Sequence, residues 1–374
     1  MIIGFDGTRI TGHSGIERYA RELVRVLTTM PGDDRYVVAT TTSRVDEVGE
    51  AIGRSPSLLV KGGIPHDLML GSAFGTVTRH LQTRAMRKTL ASADLVHYTS
   101  HRSKVLPGLP YIATVHDLFP MRRPGFAIEV RRIMEGARKV IVPSRYVAET
   151  IIDRFPDMVH KVIPIHLGVG APFRPMEAGA GLPSALHHLD DVPYFLAVAR
   201  MDVRKNVPAI LDAYRSWTGD GSAARLVFVL SGTTADVSTF RTTYTEALSH
   251  PGIVVLPSVS NDDLAALYGG AQALLFPSLA EGFGLPVLEA MACGCPVLTS
   301  TTTCLPETAG DAALLVDPER VDDIAHGIDL LHRDGALRDE LRRKGSLRAA
   351  MLTWDAAARA TRDVYAEAIA GVDR

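Results

Sequence analysis

The sequence predicts an α/β protein of two domains, each built on a doubly wound parallel sheet, and three observations carry that prediction. Short apolar runs alternate with segments of helical periodicity along almost the whole chain, the pattern of strands joined by crossover helices. A length of 374 residues exceeds one ordinary core and suits two of common size. Charge and composition also change together midway. Residues 1–175 hold 24 Lys and Arg against 16 Asp and Glu, hence +8, and the remainder holds 16 against 26, hence −10. The switch coincides with GVGAPFRPMEAGAGLP, Gly168 to Pro183, whose Gly, Ala and Pro read as an interdomain linker.

Composition narrows the class. With 46% hydrophobic and 22% charged residues the chain reads as an ordinary globular protein. It has no apolar run of the ~18 residues that a membrane span needs. MIIGFDGTR at the start lacks the basic and long apolar regions of a secretory leader, so a cytoplasmic location is expected. Cys293, Cys295 and Cys304 cluster without a second pair or a histidine at metal spacing, so buried reduced thiols and no metal are expected. No cofactor and no nucleic-acid partner are expected either. The positive first half implies an anionic partner, or else simply solvated Arg-rich helix faces.

In chain order, Met1 to Phe5 is a strand. The loop DGTRITGHS then leads to GIERYARELVRVL, where Tyr19, Ala20, Leu23, Val24 and Leu27 recur at helical spacing. Gly12 and Gly15 therefore stand just before a helix N-terminus, in a pattern that is not the G-x-G-x-x-G of dinucleotide binding. Tyr36 to Ala39, Leu58 to Val60, Leu95 to Tyr98, Ile112 to Val115, Val140 to Val142 and Val162 to Ile165 read as further strands. A helix over 73 to 91 carries Arg79, Arg84, Arg87 and Lys88, and the segment 122 to 139 carries Arg122, Arg123, Arg131, Arg132, Arg138 and Lys139. His116 and Asp117 in YIATVHDLFP stand just past a strand end, where ligands bind in open parallel sheets. His97 and His101 in HYTSH flank another.

After the linker, Tyr194 to Ala199, Leu226 to Ser231 and Val254 to Leu256 are strands, with a helix reaching about 249 between the last two. Ser260 reads as the N-cap of the helix that follows. Ala273 to Phe276 and Val297 to Thr299 bracket PSLAEGFGLPVLEAMACGC. There Gly282, Gly284 and Pro286 force a tight turn, with Pro286 placed to open a short helix that Gly294 stops. Such a loop aims backbone N–H groups at a polar ligand. Glu281 and Glu289 frame it, and carboxylates repel phosphate but accept hydrogen bonds from hydroxyls, so the pair suits sugar rings. Arg200 and Lys205, on the strand-to-helix loop of RMDVRKNVPAILDAY, read either as solvated charges or as the complementary pyrophosphate clamp. Three helical segments end the chain, the last starting at Thr353.

EGFGLPVLEAMACGCPV with its two glutamates, R-x4-K-N at Arg200 to Asn206, and LPE with G-D-A-A-L-L-V near residue 310 together resemble the retaining glycosyltransferases of family 4. GIERYARELV and HDLFP are most similar to its mannosyltransferase branch, although Glu17 stands where that branch usually has glycine. The resemblance covers nearly the whole chain. It implies the GT-B fold, two Rossmann-like domains with parallel sheets facing across a cleft: an acceptor domain over 1–172, a donor domain over 173–355, and a helix over 356–374 crossing back onto the first.

It further implies a nucleoside diphosphate sugar donor and transfer of a hexose with retention. GDP-mannose is the expected donor and a glycan or polyprenyl-linked glycan the acceptor, with peripheral association at the inner membrane face. Arg200 and Lys205 would stabilise the leaving diphosphate and Glu289 would hold the ribose. Glu281 and the N–H groups of Phe283, Gly284 and Leu285 would hold the donor sugar, which His116 would also approach. Gly15 and the Thr301 to Leu305 backbone would meet donor phosphates, while Gly12, His97, His101 and Asp117 fall on the acceptor side. No D-x-D occurs, so metal-independent chemistry is expected. A UDP-sugar-dependent enzyme of this fold, a GT-B epimerase and a non-catalytic sugar-nucleotide-binding protein are the alternatives.

Overall fold

The computed structural model describes residues 1–12, 14–64, 83–119, 125–176, 182, 187, 189, 192–218 and 224–371. Arg79, Arg122 and Arg123 lie outside the described residues. Two compact units result: 1–167 with 354–374, and 168–353. The chain leaves the first unit five residues before the expected boundary, because Val169 already pairs with Thr353 and donates its N–H to Leu352 O at 3.0 Å.

Unit 1 holds a seven-stranded sheet of β1 (Ile2–Asp6), β2 (Arg35–Thr41), β3 (Leu58–Ile64), β4 (Leu95–Tyr98), β5 (Tyr111–Thr114), β6 (Val140–Val142) and β7 (Val162–Pro164), in the order β3-β2-β1-β4-β5-β6-β7. Unit 2 holds β8 (Tyr194–Ala199), β9 (Arg225–Leu230), β10 (Ile253–Leu256), β11 (Ala273–Phe276), β12 (Val297–Ser300) and β13 (Leu314–Val316), in the order β10-β9-β8-β11-β12-β13. All the pairings are parallel. Helices cover both faces of such sheets, so β4, β5, β11 and β12 are buried at every position, which is why they read as continuous apolar runs.

β13 went unrecognised as a strand because only Val316 of its three residues is buried. The helix after β9 ends at Thr243, and 247–249 form a separate turn.

The strand order reverses between β1 and β4 in one sheet and between β8 and β11 in the other. At these points neighbouring loops diverge to opposite sides and leave a crevice at the carboxyl edge. The candidate residues collect there. The last helix, Trp354–Ala370, belongs to unit 1. It buries Trp354, Ala357, Ala358, Thr361, Val364, Tyr365 and Ala368, a stripe along one face, against the Gly15–Leu27 helix. Arg138 Nη1 donates to Ala368 O at 2.8 Å and Arg362 Nη1 to Pro31 O at 3.1 Å, which hold it in place. Among the described residues no helix is long and apolar enough to cross a membrane.

Candidate functional site

In unit 2 the loops after β8 and β11 are stitched together. Arg204 O accepts from Leu279 N at 2.8 Å. Asn206 Nδ2 donates to Pro277 O at 3.0 Å and to Pro318 O at 2.7 Å. Asn206 is buried and left-handed (φ 54°), a conformation that asparagine tolerates better than most residues. In the sequence Asn206 closes the R-x4-K-N pattern, but its role in joining the two loops is visible only in the fold. This stitching brings Lys205 Nζ to 2.7 Å from Glu281 Oε1, with both side chains about 15% exposed and Nζ 4.6 Å from the centre of the Phe276 ring. Lys205 and Glu281, expected from sequence to serve the pyrophosphate and the sugar, are thus an ion pair in this structure. Arg200 is exposed beyond the end of β8, on the side of Asp236, whose carboxyl it helps hold below the usual range after the larger effect of Thr233 N–H and hydroxyl bonds.

The glycine loop leads into a helix over Leu285–Ala292. Gly284 is the N-cap, so Pro286 sits second in the helix rather than first. Gly284 has φ +87°, and a Cβ there would lie 2.6 Å from Leu305 Cδ2, a side chain with no exposure. The loop's carbonyls are held from behind: Cys304 Sγ donates to Glu281 O at 3.2 Å, and Thr308 Oγ1 donates to Phe283 O. Because C=O and N–H point opposite ways across a trans peptide, carbonyls drawn inward turn the N–H groups of Gly282 and Gly284 the other way. Glu289 lies on the helix with 3% exposure. Thr301 N is tied to Val316 O at 2.9 Å; Thr301 and Thr302 are exposed, whereas Cys304 and Leu305 are buried. All three cysteines are free and buried, and burial pushes the Cys293 thiol up to about 12.

Gly284→Ala is expected to destabilise unit 2. The left-handed region costs a residue with a Cβ about 1–2 kcal/mol, and overpacking typically adds ~1–3 kcal/mol. A urea midpoint equal to that of wild type would show that the loop shifts freely.

In unit 1 the loop after β1 closes on itself. Glu17 Oε2 accepts from Ser14 N at 2.8 Å, and the Glu17 carboxylate lies where a Cβ on Gly12 would fall. Arg21 Nη1 donates to Gly12 O at 3.2 Å. Glu17 is therefore a helix cap, its charge spent on the N-terminus of the helix that Gly15 opens. A side chain at position 12 would displace that carboxylate from Ser14 N.

The three histidines separate. His97 is wholly buried, with Nδ1 2.7 Å from Tyr365 Oη and Nε2 2.8 Å from Thr114 Oγ1. It does not face an acceptor, and burial, aided by His116, pulls it down to about 3. His101 is buried edge-on against Phe126, ring centroids 5.1 Å apart. His116 sits at the carboxyl edge after β5 with 7% exposure. Its Nε2 is 2.9 Å from Thr99 O, which only accepts, so Nε2 carries the proton and Nδ1 is the lone-pair nitrogen. Burial holds its pKa below the ordinary value. Asp117 accepts from Phe119 N at 3.2 Å, a turn bond.

Two family models match the chain: Glycosyltransferase Family 4 over residues 13–170 and Glycosyl transferases group 1 over 183–348. O-antigen chain mannosyltransferase B of Escherichia coli is 27% identical over 373 residues, 94% of this chain and 96% of that protein. MMP alpha-(1->4)-mannosyltransferase of Mycolicibacterium hassiacum is 30% identical, spanning 71% of this chain and 67% of that one. A D-inositol 3-phosphate glycosyltransferase of Streptosporangium roseum is 29% identical over 84% of this chain and 77% of its own length. Among solved structures, HepE of Anabaena in complex with UDP-glucose superposes with a TM-score of 0.77 at 15% identity, over 98% of this chain and 99% of that one.

The chain belongs to the GT-B fold glycosyltransferases, enzymes that use a nucleotide sugar. Within them it is related to the family 4 mannosyltransferases, at 27 to 30% identity.

Proposed function

We propose that this enzyme transfers a hexose, with retention of configuration and without a metal, from a nucleoside diphosphate sugar to a glycan or lipid-linked glycan. The observation that carries this reading is the Lys205–Glu281 pair at the β8/β11 switch point, a cation for the diphosphate beside a carboxylate for sugar hydroxyls. In this reading Arg200 and Lys205 stabilise charge on the leaving diphosphate, and Glu289 holds the ribose. Glu281 and the N–H groups of Phe283, Gly284 and Leu285 fix the donor sugar. His116 presents Nδ1 to a donor hydroxyl. Gly15 serves the donor phosphates, and His101 and Asp117 remain the acceptor candidates.

A UDP-sugar is the donor we put first, since the HepE complex of this fold holds UDP-glucose. GDP-mannose is the second reading, favoured by relatives named as mannosyltransferases. A thermal-shift panel of UDP, GDP and their sugars decides between them, because a ligand at 100 times its Kd raises stability by about 2.7 kcal/mol. One base is expected to stabilise, equally with and without EDTA. Stabilisation by neither, or only with added Mg²⁺ or Mn²⁺, would overturn this reading of the clamp. Conversion of the donor alone to its epimer would favour an epimerase.

For the acceptor we propose a lipid-linked glycan at an anionic membrane surface, met by unit 1. Its sequence carries 26 Lys and Arg against 20 Asp and Glu, and Arg84, Arg87, Lys88 and Arg132 are exposed. Arg131 contributes less than expected, since it is paired with Glu135 at 2.7 Å and Asp157 at 2.9 Å. Each free basic residue near such a surface is worth about 1 kcal/mol. Arg84→Glu/Arg87→Glu/Arg132→Glu is expected to pellet less than wild type with anionic vesicles at low salt; equal pelleting would favour a soluble acceptor.

A further inference from the structure

We propose that Tyr365, His97, Thr114 and Tyr19 form a buried positioning network that fixes the ring of His116, an inference resting on the reading in which His116 meets the donor sugar. The network is a continuous hydrogen-bonded chain inside unit 1. Tyr365 Oη lies 2.7 Å from His97 Nδ1, His97 Nε2 2.8 Å from Thr114 Oγ1, and Thr114 Oγ1 3.0 Å from Tyr19 Oη. Its members come from four elements: the Trp354–Ala370 helix, β4, β5 and the Gly15–Leu27 helix. None is more than 2% exposed.

The last link is to His116. The Tyr19 ring stands edge-on to the His116 ring, centroids 4.9 Å apart and planes at 80°. Thr99 O holds Nε2 from another side. Thr114 and His116 are two residues apart, so on extended backbone their side chains point to the same side. The His116 ring is thus bounded by the Tyr19 ring and the Thr99 carbonyl.

Chemistry explains why a polar chain is kept here. Three hydroxyls and an imidazole without water are costly unless each finds a partner, and apolar side chains of similar shape would fill the space at less risk. A neutral imidazole has a donor on one edge and an acceptor on the other, so it relays direction from Tyr365 to Thr114 and cannot be replaced by a purely apolar ring. The hydroxyl of Thr114 serves both neighbours and thereby sets where Tyr19 stands. Satisfied networks of this kind rigidify a core and select one arrangement. A displaced catalytic-site ring is felt directly in the rate, because reacting groups must sit within a fraction of an ångström of their working geometry.

The test uses the full chain labelled with ¹⁵N-histidine, with His116 ring signals assigned by His116→Gln. Wild type is expected to show His116 in the Nε2–H tautomer alone. Thr114→Val and Tyr19→Phe are expected to shift those signals toward a mixture of tautomers, and Thr114→Ser to restore them. In the transfer assay Thr114→Val, Tyr19→Phe and Tyr365→Phe are expected to lose about 10-fold in kcat with donor KM nearly unchanged, the pattern of lost positioning rather than lost binding, and Thr114→Ser to recover it. Should Thr114→Val fail to fold, Tyr19→Phe decides, since it keeps the ring and loses only the hydroxyl. Ring signals unchanged in Tyr19→Phe, or altered signals with kcat intact in an active enzyme, overturn the network. Absence of transfer by wild type with every donor would refute the functional reading, and the ring signals would still decide the network.

Discussion

Lys205→Ala is expected to lower kcat/KM by about 10²- to 10³-fold, the range seen when a preorganised stabiliser of transition-state charge is removed. The structure makes this a larger loss than Arg200→Ala, for which about 10²-fold is expected. Arg200 is exposed, so its removal deletes one interaction. Removing Lys205 also strands Glu281, which it meets at 2.7 Å, and leaves an uncompensated carboxylate beside the proposed diphosphate position. The consequence is non-additivity: Lys205→Ala/Glu281→Ala should bind a nucleoside diphosphate better than Lys205→Ala alone, since the stranded charge is gone. Kinetics close to wild type in a folded Lys205→Ala protein would sink the clamp. Equal nucleotide affinity in the single and double variants would show that the pair does not couple.

Acid destabilisation through His97 is the second large effect. Burial holds His97 at about 3 in the folded protein, against ~6.5 for an exposed histidine. The folded pKa is therefore the lower one, and below ~6.5 the unfolded chain binds the proton that the native protein refuses. Its contribution is fully present above ~6.5 and is lost as pH falls toward about 3, at about 1.4 kcal/mol per pH unit. From pH 7 to pH 5 that amounts to about 2 kcal/mol from this one group. His116, also held low by burial, acts in the same direction. Comparison with His97→Gln isolates the effect, because other titrating groups are common to both proteins. The stability gap between wild type and His97→Gln, read from urea midpoints, should narrow by about that amount between pH 7 and pH 5. A gap independent of pH would mean that His97 is not buried as a neutral ring.

Much of the candidate site's local structure was legible because it rests on local chemistry. Gly282, Gly284 and Pro286 announce a loop that opens a helix, and the loop lies between β11 and the Leu285–Ala292 helix as the spacing requires. Lys205 likewise follows a strand, on the turn at Val203–Lys205. His97 misled because a histidine at a strand end looks the same in sequence whether its ring faces solvent or a tyrosine 268 residues away.

The sequence by itself determined the alternation of strand and helix, the two units and the loops that carry charge, since periodicity, glycine, proline and capping residues act within a few positions of themselves. Only the tertiary structure decided which of those charged groups meet. Lys205 and Glu281 become partners because the strand order places β8 beside β11, and Asn206 holds the two loops in register from its contacts with Pro277 and Pro318. Glu17, which stands where the mannosyltransferase branch usually has glycine, is a cap on its own helix because its carboxylate folds back onto Ser14 N. His97 became a buried relay because the last helix returns to unit 1 and sets Tyr365 against it. Pairings of this kind depend on sheet order and chain return, which are long-range properties that no local pattern encodes.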